Sequence, residues 1–68
     1  MKLIRLRTVL EMTALSRSSL YRLMDANEFP KSIPLAGRCV AWVDEEVEDW
    51  IAQRIAMRDD EVKESRVV

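Results

Sequence analysis

The chain has no histidine, one cysteine, one glycine and two prolines among its 68 residues, and only four aromatic side chains. One cysteine excludes a disulfide framework within the chain, and without histidine a zinc site is not expected. No apolar run approaches the ~20 residues of a membrane span. The opening MKLIRLRTVLEM is too interrupted by charge for a signal peptide, so a cytoplasmic location is expected. Glycine-rich phosphate loops and a G-x-S-x-G elbow are absent, and the chain is too short to enclose a substrate pocket. An enzyme is therefore not expected, and neither is a cofactor or a bound metal.

What is present is one small domain. Sixty-eight residues lie close to the lower limit for a self-sufficient core. A hydrophobic fraction of 49% is enough to build one if most apolar side chains share a single centre. The net charge of −1 argues against a nucleic-acid partner until its distribution is read. Residues 1–43 carry seven basic and three acidic groups, or +4; residues 44–68 carry four basic and nine acidic groups, or −5. Such a division suggests a basic binding half and an acidic half turned away from the partner.

Residues 8–22, TVLEMTALSRSSLYR, concentrate the signal. Thr8 followed by Glu11 has capping-box spacing and predicts the start of a first helix. Ser16 is positioned to cap a second, with Thr13-Ala14-Leu15 between the two. In that second helix Leu20, Leu23 and Met24 share an apolar face. Ser18 and Arg22 point the opposite way, Ser19 and Tyr21 flank them, and Arg17 sits in the first turn. An apolar back and a Ser/Arg/Tyr front suit a recognition helix entering a major groove. The same pattern also fits a solvated helix on a small bundle, and these residues alone do not separate the two.

The remaining elements arrange around this pair. Leu3-Ile4-Arg5-Leu6 reads as an extended lead-in, with Leu6 tucked against the first helix. The second helix should stop near Asn27, which tolerates the left-handed cap conformation. Phe29 then anchors the chain, and Pro30 forbids continuation. Residues 32–35 and 39–42 flank Ala36-Gly37-Arg38 as a β-hairpin, with Gly37 where a tight turn needs positive φ. Pro34 confines its strand to an edge. Asp44 is expected to cap a third helix with Val47, Trp50, Ile51 and Ile55 as its buried stripe. Trp42 and Trp50 are assigned to the core, and Cys39 to a small apolar filler. The domain is expected over residues 1–58, with residues 59–68 a frayed or disordered tail.

The order helix, helix, hairpin, helix is that of a winged helix-turn-helix, mainly α with a small β-hairpin. The run S-R-S-S-L-Y-R, the F-P-K after it, the G-R before a strand ending at Trp42, and the closing E-V-E-D-W-I together resemble the AlpA-like phage regulatory proteins. These are relatives of excisionases and of the DNA-binding part of MerR-type regulators. The resemblance covers about Leu3 to Arg58. It implies sequence-specific binding of double-stranded DNA and regulation of genes on an integrated element, often an integrase gene. The alternatives are an excisionase-type factor that bends DNA, and a small protein-binding adaptor without DNA.

On that reading Arg7, Arg17, Ser18, Ser19, Tyr21, Arg22, Lys31 and Arg38 are the DNA-contacting residues. Integrase and further copies of the chain are conceivable partners, the copies lying on direct or inverted repeats although no dimerisation helix is seen. The family usually has glycine where this chain has Ala14, and often where it has Ala36 and Ala41. An alanine held at positive φ costs about 1 kcal/mol.

Overall fold

Trp42 is completely buried, and the other elements pack around the strand that carries it. The structure, a computed structural model, describes the backbone of residues 1–65 and the side chains of residues 1–60. In chain order the elements are β1 (Leu3–Ile4), α1 (Leu6–Thr13), α2 (Arg17–Asp25), β2 (Ile33–Pro34), β3 (Val40–Val43) and α3 (Asp44–Ser65). All strand pairings are antiparallel, in the order β1-β3-β2. Leu3 pairs with Val43 and Ile4 with Trp42, while Ile33 pairs with Ala41 and Pro34 with Val40. The expected hairpin is present with Pro34 on an edge strand. The lead-in is more than extended, since it adds a third strand.

Ala41, Trp42 and Val43 are consecutive and all buried. Burial without alternation means that both faces of β3 are covered. Ile4, Val9, Leu20, Met24, Phe29 and Val47 complete the buried cluster around Trp42. The indole N–H of Trp42 finds no acceptor among the described residues.

α1 begins earlier than Thr8. Its N-cap is Arg5, whose side chain makes no capping bond, and Val9 N–H already donates to the Arg5 carbonyl at 3.1 Å. Leu6 is the first helical residue and packs, half-buried, against the core. Bringing Leu6 inside moves the N-cap from Thr8 to Arg5, nearly a full turn earlier, so Thr8 lies within the first turn and Glu11 makes no capping bond. At the other end Thr13 is still helical, and its hydroxyl donates to the Val9 carbonyl at 2.8 Å. Ala14 is left-handed at φ 59°, as the departure from glycine implied. Ala36 and Ala41 are not at positive φ, so the strain is confined to one of the three alanines.

α2 starts and stops as its sequence indicates. The Ser16 hydroxyl accepts from Ser19 N–H at 3.2 Å. At the C-terminus Asn27 is left-handed at φ 60°; its N–H donates to Met24 and that of Glu28 to Leu23. That pair of bonds is the Schellman closure. The wing turns through Gly37 at φ +66°, closed by Leu35 N–H to the Cys39 carbonyl at 2.7 Å.

Asp44 is the joint between sheet and helix. Its carboxylate accepts the backbone N–H of Lys2 and of Glu45, each at 2.8 Å, and its own N–H donates to the Lys2 carbonyl at 2.8 Å. One side chain thus extends the β1–β3 ladder and opens α3.

The expected stripe on α3 holds only in part. Val47 is buried and Trp50 and Ile51 are half-buried, but Ile55 is 46% exposed. The body of the domain ends before Ile55, leaving nothing for it to pack against. The helix continues through Ser65, where a frayed tail was expected from Asp59 onward. Residues 66–68 lie outside the described residues.

Two outcomes follow from this packing. Trp42→Ala should cost about 3–5 kcal/mol, against a total of about 5 kcal/mol for so small a domain. Circular dichroism should show it largely unfolded at room temperature, and a wild-type melt would contradict the placement of Trp42 at the centre. The hydrogen bond from Lys2 is the largest cause that lowers the Asp44 pKa below 3.8. A depressed folded-state pKa contributes stability that is present above the unfolded value and lost as pH falls through the folded one. Asp44→Asn should therefore flatten the decline in melting temperature below about pH 3.8.

Candidate nucleic-acid interface

Burial of Leu20 and Met24, with Leu23 half-buried, fixes the rotation of α2 and leaves Arg17, Ser18, Tyr21 and Arg22 exposed. Tyr21 keeps 41% of its surface accessible. Ser18 and Arg22 occupy the side of the wheel opposite Leu20 and Met24, Tyr21 lies beside them, and Arg17 is open because it begins the helix.

Two of the nominated residues have duties within the fold. Ser19 is half-buried; its hydroxyl lies 2.9 Å from that of Ser16 and its N–H is the one Ser16 caps. The Lys31 ammonium donates to the Met24 carbonyl in the last turn of α2. A cation there complements the negative end of the helix dipole and ties the loop after Pro30 to α2.

Arg7 is exposed on α1, with Glu11 one turn on at 3.9 Å. Solvent surrounds both groups, so this contact constrains the guanidinium little. Arg38 is exposed at the tip of the wing beside Gly37, where an added Cβ would meet open space. Gly37 is thus required by its φ rather than by crowding. Arg5, which sequence reasoning did not nominate, is also exposed on the basic half and precedes α1. Its proximity to Arg7 in the chain was the available signal.

Cys39 is exposed rather than a filler of the interior. It follows the wing turn, and the half-buried Val40 is the first residue of the strand to turn inward. Trp42 is core as expected, whereas Trp50 is half-buried at the margin. There its ring meets Phe29 edge-to-face with centroids 4.9 Å apart, and its N–H donates to the Glu28 carbonyl at 2.7 Å. The Arg54 guanidinium lies 5.4 Å over the same ring.

Beneath this aromatic pair runs an open groove of about 720 Å³ between the residue 27–33 loop and α3. Glu28, Glu46 and Asp49 line it beside Lys31, so it is net acidic although it spans both halves of the chain. No group of residues that could hold a metal ion occurs among those described, and no helix there is long and apolar enough to cross a membrane.

Three helices and a small three-stranded antiparallel sheet in this order make a mainly helical, winged helix-like domain. Within that class the chain belongs to the family described as the prophage CP4-57 regulatory protein (AlpA), whose model matches residues 2–55. The uncharacterized protein ORF88 of Enterobacteria phage P4 is 42% identical over 57 residues. That match takes in 84% of this chain and 65% of the phage protein, so the chain spans a little under two thirds of that relative. The family is one of prophage regulatory proteins.

The Lys31 contact can be tested apart from any ligand. Lys31→Met keeps the aliphatic stem and removes the ammonium, and should lower stability by about 0.5–1.5 kcal/mol. Urea denaturation measures the difference; an unchanged midpoint would show that the ammonium is not held at Met24 in solution.

Proposed function

We propose that this protein is a sequence-specific DNA-binding regulator of a prophage or other integrated element, acting in the cytoplasm at the nucleoid. The observation that carries this reading is the α2 front of Arg17, Ser18, Tyr21 and Arg22, all exposed and held in place by the buried Leu20 and Met24. Membership of a prophage regulatory family supports it, as does the division of charge between the two halves of the chain.

In this reading α2 enters the major groove of double-stranded DNA. Arg22, one turn beyond Ser18, reaches base edges, where a guanidinium can bond two acceptors at once. Arg17 in the first turn serves a base or a phosphate. Tyr21 and Arg7 contact the backbone, and Arg38 on the wing meets a phosphate or the minor groove. Ser19 and Lys31 contribute indirectly, by fixing the start and the end of α2. The regulated gene is an integrase gene, which gives the protein control over excision. The acidic helix α3 faces away from the duplex, since its carboxylates would be repelled by phosphates.

Two measurements decide the assignment. With about 3–5 phosphate contacts, log affinity should fall against log salt with a slope near −3 to −4.5 per bound copy. A slope near zero in a fluorescence titration would remove DNA as the partner. Arg22→Ala should lose about 1–3 kcal/mol of specific binding and leave random duplex binding nearly intact. Arg38→Ala should weaken both by similar factors and flatten the salt slope by about one unit. Gel shifts on specific and random duplexes compare the two, and the reverse outcome would exchange the roles of helix and wing.

A further inference from the structure

α3 is 22 residues long, about 33 Å at 1.5 Å per residue, and only its first two turns touch the core. Val47 is buried and Trp50 and Ile51 are half-buried, whereas every residue from Ala52 to Asp60 is exposed. Isolated helices shorter than about 12–15 residues are marginal in water. A projecting segment that also displays Ile55 therefore gains from a partner. Glu48, Ile51, Ile55 and Arg58 follow one another at spacings of three, four and three, which aligns them in one stripe with the period of two-helix packing. The Val47–Trp50 side, turned to the core, borders this stripe and shares Ile51 with it, so Ile51 offers only its outer, uncovered part. Met57 falls on another face.

We propose that this stripe is a self-association surface through which two copies pack α3 against α3, antiparallel about Gln53. In that register Ile51 of each copy meets Ile55 of the other, and Glu48 meets Arg58 at both ends. A parallel pair in register would set Glu48 against Glu48 and Arg58 against Arg58, so charge selects the antiparallel arrangement. The stripe is its own complement under a two-fold axis, which identifies the occupant as a second copy of this chain. Among the described residues Glu48 makes no ion pair. Arg58 rests on the adjacent Asp59 at 2.8 Å, with both side chains more than half exposed. Such a pair is worth little and is readily exchanged. Four side chains per copy make a smaller patch than the standard interface of about 1,600 Å², so association depends on concentration. The surface is separate from the residues assigned to DNA and stands whether or not the chain binds it.

Sedimentation equilibrium of the full chain under reducing conditions, over a concentration series, tests this. The apparent mass should rise from 7.9 kDa toward twice that value. Ile55→Glu should stay monomeric with an unchanged circular dichroism spectrum, because Ile55 is exposed and its replacement disturbs no core contact. Glu48→Arg and Arg58→Glu should each weaken association by about tenfold or more. The double variant E48R/R58E should return to within about threefold of wild type, its pairs re-formed with signs exchanged. A wild-type chain that keeps the monomer mass at its solubility limit would overturn the proposal. So would a dimer indifferent to Ile55→Glu, or one weakened by each charge reversal and not restored by the pair.

Discussion

The four-residue strand β3 must be covered on both faces, and the rest of the architecture answers that demand. Ala41, Trp42 and Val43 are buried in succession, which a half-solvated hairpin would not allow. β1 and β2 satisfy the backbone of β3 from either side, and the helices supply Val9, Leu20, Met24 and Val47 to enclose Trp42. In a domain this small one tryptophan is a large share of the apolar surface removed from water, so orientation of the helices follows from reaching it.

That geometry sets what the exposed residues can do. Turning Leu20 and Met24 inward turns Ser18 and Arg22 outward with Tyr21 beside them, and Arg17 is open at the first turn, so core and candidate interface follow from one placement of the helix. The polar residues divide by duty. Ser16, Ser19 and Lys31 spend their hydrogen bonds on the two ends of α2. Arg7, Arg22 and Arg38 are left in solvent. A basic side chain near a helix C-terminus and one on an open helix face look alike in a charge count, yet only the second is free to meet an anion.

Asp44 is where the basic and acidic halves of the chain meet in sequence. Its carboxylate and backbone close a ladder with Lys2 while starting α3. Val47 in the core and the Trp50 bond to the Glu28 carbonyl secure the next two turns of the helix to the basic half. α3 then runs on past the body it helps to cover. Its exposed Ile55 is the consequence of a helix longer than its own core.

Features governed by neighbours in the chain were legible from the sequence. The Ser16 cap, the left-handed Asn27 and Gly37, the turn between the helices, the wing and the edge position of Pro34 depend on residues a few places apart, where side-chain chemistry and φ preferences act directly. The polar front of α2 was legible for the same reason, since 3.6-residue periodicity is local. Other features depended on distant partners. The lead-in became β1 because Trp42 and Val43, some forty residues on, offered it an edge. Thr8 lost its capping role because Leu6 was drawn into the core. Ile55 stayed exposed because the body stops short of it, and Cys39 faces solvent because burial of β3 begins only at Val40. Sequence periodicity states which side of an element prefers to be covered; only tertiary packing decides whether anything arrives to cover it.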